Sequence, residues 1–438
     1  MADANSTDVQ DDKKPSSGYS NEVMLLLFIV YAFNFLDRQI ISILAIPIKE
    51  ELGLSDEQLG LLGGIAFAAL YSTLGVPIAW AADRWNRTWI MTISLTVWSA
   101  FTAISGLAQN FTQLFLARMG VGIGEAGGVA PAYSLIADYF PSNQRARAMA
   151  IYSLGIPVGS AFGVIVGAHI AMGAFMEGLD WRSAFIIVGV AGVVVAPIFK
   201  LIVREPKRGQ FDGAAQQKLA EKKPSIMEVL KVLSKKPSFW FLTLGASFSS
   251  MMGYGIFFWI PSFFVRSHGL GILDTSWAFG ITILVAGALG ILMGGILGDR
   301  LGKGKKSMYA IVPGIAFLCT TPFYIGAVMA PSLAWSIGLF FIPTALGLAW
   351  LGPVLSTFQH LVAPNMRAVA SSIFLLINNL IGIGVGVYVL GKMSTILAPT
   401  FGDESLRYSI LGGSFLYLIA AGLFYLASKH IDKDWVSD

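Results

Sequence analysis

Runs of about 20 apolar residues follow one another along nearly the whole of this chain, broken mostly by short charged turns. That alternation leaves few possible folds. A helix satisfies its own backbone hydrogen bonds and crosses the hydrocarbon of a bilayer in about 20 residues, so such runs read as membrane spans. Twelve are expected, at residues 23–48, 57–82, 88–108, 111–138, 146–172, 182–203, 238–265, 274–298, 305–329, 334–361, 367–392 and 408–428. Only 13% of the 438 residues are charged, about half the share found in soluble proteins. The mean hydropathy of +0.68 agrees. The expected class is an all-α membrane protein.

Two of the turns are alike. AWAADRWNR (79–87) and GILGDRLGK (295–303) each set an Asp-Arg pair between apolar runs, and PSNQRARA (141–148) is echoed by PNMRAVA (364–370). Turns that recur in register imply two homologous halves, expected as two pseudo-symmetric six-helix bundles over residues 22–203 and 237–429. Residues 204–236 read as a cytoplasmic linker. Its end carries Ser225 followed three residues later by Glu228, a capping box. Ile226, Val229, Leu230 and Leu233 then repeat at helical spacing, so a short amphipathic helix on the inner leaflet is expected. Residues 1–21 lack the features of a signal peptide and read as a disordered cytoplasmic tail, with 430–438 as a second tail.

Lys and Arg set the expected sidedness. With the N-terminus inside, most of the 30 fall in cytoplasmic loops, as the positive-inside rule requires. Both termini and both Asp-Arg turns then face the cytoplasm. The pI of about 9.0 is accounted for by those loops and gives no reason to expect nucleic acid. Cys319, the single cysteine, lies in an apolar run, so no disulfide forms within one chain.

These motifs resemble the major facilitator superfamily, across essentially all twelve spans. Its signature between spans two and three is written G-x-x-x-D-R-x-G-R-R/K. Asp83, Arg84 and Arg87 match it, while Ala79 and Asn86 replace its glycines; Gly295, Asp299, Arg300, Gly302 and Lys303 match in the second copy. The fourth span, Arg118-Met-Gly-Val-Gly122-Ile-Gly124-Glu125, looks like the superfamily's arginine-glycine segment. The D-R-W-N-R turn, FLDR in the first span and G-x-G-E-A in the fourth are similar to the Spinster-like branch, whose members carry lysophospholipids and sphingosine phosphate. The resemblance implies the major facilitator fold and a secondary transporter working by alternating access, not an enzyme. Neither H-E-x-x-H nor G-x-S-x-G occurs.

Four charges lie deep in the spans: Asp37, Arg38, Arg118 and Glu125. Each costs about 2.5–3.5 kcal/mol at mid-bilayer, so such residues are expected to face a polar cavity. Arg118 and Glu125 lie on nearly one face of the fourth span. Asp37 and Arg38 diverge by about 100°, so one serves the cavity and the other a neighbouring helix. A carboxylate whose distance from an arginine or from solvent changes between states changes its proton affinity, which makes Asp37 and Glu125 the candidate proton-coupling pair. The alternative is a static network fastening the first span to the fourth. Guanidinium geometry suits an anionic head group, a role the resemblance favours for Arg118, with Arg38 and Asn34 as further candidate contacts. The second half carries almost no buried charge. It offers Tyr254, Phe258, Trp259, Asn378 and Asn379 as an opposing wall, and a charged wall facing an aromatic one suits a lipid-like amphiphile.

Asp83 and Asp299 sit at cytoplasmic helix ends, where each can pair with an arginine or a helix N-terminus. Arg145 and Arg367 are the candidate partners, and Arg84, Arg87, Arg300 and Lys303 complete a gate that would hold the inner face shut. Gly155, Gly159, Gly163 and Gly167 form a small-residue stripe that lets the fifth span approach a neighbour closely. The expected protein is a monomeric transporter of lysophospholipid or sphingolipid-like anionic amphiphiles in a bacterial inner membrane, with the proton as coupling ion and no metal. A proton-linked drug or organic-anion exporter is the nearer alternative, and a membrane enzyme or channel the more distant one. Which lipid, how many protons, and import or export are left open.

Overall fold

The computed structural model describes residues 16–211, 225–302, 305–348, 350–363 and 366–436, and every regular element among them is helical. The first half comprises α1 (Ser17–Ile43), α2 (Ala45–Leu52), α3 (Asp56–Gly63), α4 (Ile65–Ala82), α5 (Arg87–Ser105), α6 (Phe111–Glu125), α7 (Val129–Tyr139), α8 (Ser142–Ser153), α9 (Gly155–Ala171) and α10 (Trp181–Ile202). The short α11 (Ile226–Leu233) leads into α12 (Pro237–His268), α13 (Ile272–Gly302), α14 (Met308–Val328), α15 (Leu333–Leu346), α16 (Leu351–His360) and α17 (Arg367–Asn379). A π-helical segment, Leu380–Val385, joins α17 to α18 (Gly386–Phe401), and α19 (Ser405–Ser414), α20 (Leu416–Ser428) and α21 (Ile431–Asp434) close the chain.

Among the described residues, ten helical stretches are long and apolar enough to cross a membrane. Two observations reconcile them with the twelve expected passes. The last stretch, Val369–Ser428, runs for 60 residues and folds back at Gly402, whose φ of 55° suits glycine. The fourth pass is broken, because α6 stops at Glu125 and α7 resumes at Val129. Ala126, Gly127 and Gly128 make that break, and a Cβ on Gly127 would lie 2.0 Å from Ser94 Oγ. Broken spans in transporters put polar groups at helix ends beside a cleft. Glu125 is the last residue of α6 before this break.

The stripe on α9 packs against α1, the helix that carries Asp37 and Arg38. A Cβ on Gly159 would lie 2.1 Å from the carbonyl oxygen of Ala32, and one on Gly163 2.5 Å from that of Leu36. Neither backbone can retreat without moving the buried charges. Gly159→Val is therefore expected to destabilise the protein by about 2 kcal/mol or more. Gly75→Ala, where nothing lies within 4 Å, should be neutral or mildly stabilising. Thermal unfolding in detergent separates the two; equal midpoints would refute the packing argument.

Helix α11 forms as its residues dictate. Ser225 Oγ accepts from the Glu228 amide at 3.2 Å, and Glu228 Oε2 accepts from the Ser225 amide at 3.1 Å. Val229 and Leu233 are buried, while Ile226 and Met227 are exposed.

Three boundaries differ from the sequence reading. Helix α1 begins at Ser17, capped by Ser16, while residues 1–15 lie outside the described residues. The start of the linker is bound to the first half: Arg208 Nη2 donates to the carbonyls of Ala82 at 2.7 Å and Trp85 at 2.6 Å. The C-terminal segment is packed as well. Asp434 accepts from the Ser238 amide at 3.0 Å, and Trp435 stacks on His360 at 4.5 Å between ring centres. A capping carboxylate and a large ring give these ends contacts that their polar composition conceals.

Candidate functional site

Asp37 and Arg38 diverge around α1 as adjacent helical residues must, and each finds a partner on α6. Arg38 Nε donates to Glu125 Oε2 at 2.6 Å, and Arg118 Nη1 stands 3.6 Å from Asp37 Oδ1. The pairs therefore cross: the arginine of one helix meets the acid of the other. Their environments differ. Asp37 lies in a crevice with Phe33, Trp98, Ser99 and Thr102, toward α5 and α10. The Arg38 guanidinium sits over the rings of Phe35, Phe67 and Tyr71 at 5.0, 4.6 and 4.5 Å. Its side chain keeps 12% exposure against 1% for Arg118.

The close approach behind this geometry depends on the glycines of α6. A Cβ on Gly122 would lie 2.4 Å from the Phe67 carbonyl oxygen, and one on Gly124 2.4 Å from the Trp98 amide. Several buried polar atoms nevertheless have no hydrogen-bond partner: both side-chain atoms of Asn34, both oxygens of Asp37, Arg38 Nη2, Arg118 Nε and Nη1, and Glu125 Oε1. Buried polar atoms in folded proteins are nearly always paired. A cluster of unpaired ones on two adjoining helices is where a ligand or a proton has somewhere to bind.

The residues expected in the second wall separate. Tyr254 is half-buried and packs against both hydrophobic cores. Trp259 is fully buried and donates from Nε1 to the Val387 carbonyl at 3.0 Å. Phe258 meets Gly63 on α3, where a Cβ would lie 2.2 Å from its ring. Those two rings pack helices together and line no open surface. Asn378 is buried and accepts from Ser250 Oγ at 3.0 Å, while Asn379 is half-buried.

The gate residues also divide. Asp83 and Arg84 are exposed, and Arg84 folds back over the Trp80 ring at 3.9 Å. Arg87 is buried and does something not expected of it. Its guanidinium donates to Asp138 Oδ2, to Glu205 Oε1 at 2.6 Å and to Ser134 Oγ at 2.7 Å. It thus clamps α5, α7 and the start of the linker within the first half. Arg145 Nε donates to the Phe140 carbonyl at 3.1 Å, and Arg367 is half-buried at the start of α17. Lys303 and the side chains of Asp299 and Arg300 lie outside the described residues.

A polar lock on the opposite face was not anticipated from the sequence. Asp56 opens α3 and is 5% exposed. Arg266 at the end of α12 donates to both its oxygens, at 2.6 and 2.7 Å, and Ser394 on α18 donates at 2.7 Å. Lys49, from the same half as Asp56, adds a contact at 2.7 Å. Beside it, Glu57 accepts from Tyr388 Oη at 2.8 Å, and the Glu57 amide donates to Thr395 Oγ1 at 3.0 Å. Gln39 Nε2 on α1 reaches the Phe257 carbonyl on α12 at 2.8 Å. The halves are stitched together on this face. The only local signal was the Ser55 capping box that starts α3.

Comparisons with known proteins agree with the fold and the charge pattern. The family model described as Major Facilitator Superfamily matches residues 27–387. An MFS-type efflux pump of Mycolicibacterium smegmatis is 30% identical over 94% of each chain. Protein spinster homolog 1 of Xenopus tropicalis is 28% identical over 95% of this chain and 82% of its own. A crystal structure of a bacterial homolog of the human lysosomal transporter Spinster, inward-facing and unoccupied, superposes with a TM-score of 0.86 at 34% identity, covering 97% of this chain and 100% of that one. Its inward-facing, occupied counterpart gives 0.82 at 33% identity over the same shares. With crossed ion pairs between its first and fourth spans and homology along nearly its full length, this chain belongs to the Major Facilitator Superfamily of secondary transporters, in the Spinster homolog branch.

Proposed function

We propose that the protein is a proton-coupled carrier of lysophospholipid or sphingolipid-like anionic amphiphiles, with Glu125 as the principal proton site. The observation that carries this reading is the buried Arg38–Glu125 pair with one unpaired atom on each partner, Arg38 Nη2 and Glu125 Oε1. While Glu125 is ionised it occupies Arg38. Once protonated it loses the charge-assisted bond, and Arg38 is free to hold an anionic head group. Protonation of the Glu125 carboxylate and binding of the head group to Arg38 are then coupled through one ion pair. The lesser burial of Arg38 supports giving it the head group, with Arg118 and Asp37 as the inner pair that steadies α1 against α6. Tyr254 and the rings around Arg38 provide apolar surface for a chain.

The stitched Asp56 face and the likeness to inward-facing relatives support a resting state open on the face of the Asp-Arg turns. On the positive-inside reading that face is cytoplasmic, with both termini on it. A proton gradient of one pH unit supplies about 1.4 kcal/mol per proton, enough for about tenfold accumulation at one-to-one coupling.

The test is uptake of labelled lysophospholipid into proteoliposomes of the purified protein, with and without a pH gradient. Saturable uptake that the gradient accelerates, and that hydrophilic organic anions fail to inhibit, is the expected result. The efflux-pump relative favours a second reading, a proton-linked exporter of drugs or organic anions. Inhibition by hydrophilic anions as strong as by lysolipid would decide for it.

A further inference from the structure

Away from the cleft, four lysines converge on a groove of about 540 Å³. It lies between α11, the residues that open α12 and α17, and the C-terminal segment, and its polar lining is Glu228, Lys231, Lys235, Lys236, Lys433 and Asp434. The two acids are already committed. Glu228 caps α11 through the Ser225 amide at 3.1 Å, and Asp434 caps α12 through the amide and hydroxyl of Ser238 at 3.0 and 2.5 Å. Among the described residues, Lys231, Lys235 and Lys433 form no ion pair with a carboxylate. Lys236 donates to the Asp434 carbonyl. Burial holds its ammonium below the usual lysine value, and Asp434 only partly offsets that.

The groove's apolar lining is Val232 and Met366, and the tip of α11 outside that lining is apolar as well. Met227 stands one helical turn before Lys231 on α11, Lys235 follows just past the helix end, and Met227 and Ile226 are 73% and 50% exposed. Val229 and Leu233 bury on the other side and fix the helix to the protein. The arrangement is a set of unpaired cations below an exposed apolar tip, on a short helix beside the membrane spans. We infer that this groove binds the head group of an anionic phospholipid, its phosphate between Lys231, Lys235 and Lys433 and its acyl chains against Met227 and Ile226. A free phosphate ion would satisfy the lysines but leave the apolar tip uncovered. Met366 lines the groove as the residue before α17, so an occupant braces the foot of a helix that runs on into the π segment at the interface between the halves.

The test is native mass spectrometry of the full chain released from micelles containing phosphatidylglycerol, with K231Q/K235Q/K433Q alongside. Each lysine near an anionic lipid contributes roughly fivefold in affinity, so the triple variant is expected to hold its tightest phosphatidylglycerol about 100-fold more weakly. Its thermal midpoint should match the wild type, since the three side chains are exposed, and K231R/K235R/K433R should retain the lipid. Phosphatidylcholine should be held far less. Equal retention by wild type and the glutamine variant overturns the site. Displacement of the lipid by millimolar inorganic phosphate overturns the lipid in favour of a free ion.

Discussion

Glu125→Gln is expected to abolish pH-driven accumulation while leaving exchange of substrate across the membrane intact. The buried carboxylate accepts from Arg38 Nε at 2.6 Å, and its other oxygen has no partner. Glutamine keeps the shape and can still accept that bond. It cannot take up or release a proton, so the site is fixed in the state in which Arg38 is free for an anion. The accumulation ratio, about tenfold per pH unit for one coupled proton, should fall to one. Breaking a buried ion pair by removing one partner usually destabilises by about 3–5 kcal/mol. The Arg38 side chain keeps 12% exposure, so solvent can meet its charge and the loss should be smaller. Counterflow of labelled lysolipid measures the first expectation and the thermal midpoint the second. Asp37→Asn offers the contrast. Its pair with Arg118 is longer, at 3.6 Å, and its carboxylate lines a crevice with Trp98, Ser99 and Thr102, so coupling should weaken more than substrate binding. Full pH-driven accumulation by the Glu125 variant would remove this residue from the coupling step.

What the sequence reveals here is whatever is local or set by composition. Apolar run length gives the spans, the Ser225–Glu228 spacing gives α11, and the 100° step of a helix separates Asp37 from Arg38. Partner choice is another matter, because it depends on which helices adjoin. Nothing near Arg87 announces Asp138 or Glu205, 51 and 118 residues away. The Asp-Arg turn points to its aspartate as the pairing residue, yet its last arginine is the residue that buries and clamps. Helix α12 fails for a different reason. It is apolar on every side, so its sequence has no polar face from which to tell that Trp259 turns inward to Val387 while Tyr254 stays half-buried between the two cores. Asp56 misleads in the same way. An acid in the first turn of a capped helix is ordinarily a solvated partner of the helix dipole. Its true partner, Arg266, lies 210 residues on.

Asp56→Ala is expected to release the face that this residue holds shut. Its carboxylate gathers Arg266 through two bonds of 2.6 and 2.7 Å, Ser394 at 2.7 Å and Lys49 at 2.7 Å, with 5% of the residue exposed. Removing it leaves the Arg266 guanidinium, itself only 12% exposed, buried without its counter-ion. A loss of that kind is worth about 3–5 kcal/mol. The penalty falls on the stitched state alone, because a state in which α3 and α12 have parted hydrates both groups. A conformational equilibrium would then shift by roughly 150- to 5,000-fold toward opening on this side. In a Cys319→Ser background, a cysteine at Thr395, whose hydroxyl accepts from the Glu57 amide beside the lock, reports the change. A membrane-impermeant maleimide should label it at least about tenfold faster in the Asp56 variant. Arg266→Ala should accelerate labelling similarly, and the two changes together should add little, because each breaks the same pair. Unchanged labelling in both single variants would mean that close backbone packing, where a Cβ on Gly60 would lie 2.9 Å from Tyr388 Cα and one on Gly391 2.4 Å from the Asp56 carbonyl oxygen, holds the face closed without the ion pair. That outcome would make glycine packing, not charge, the barrier that a transport cycle must overcome on this side.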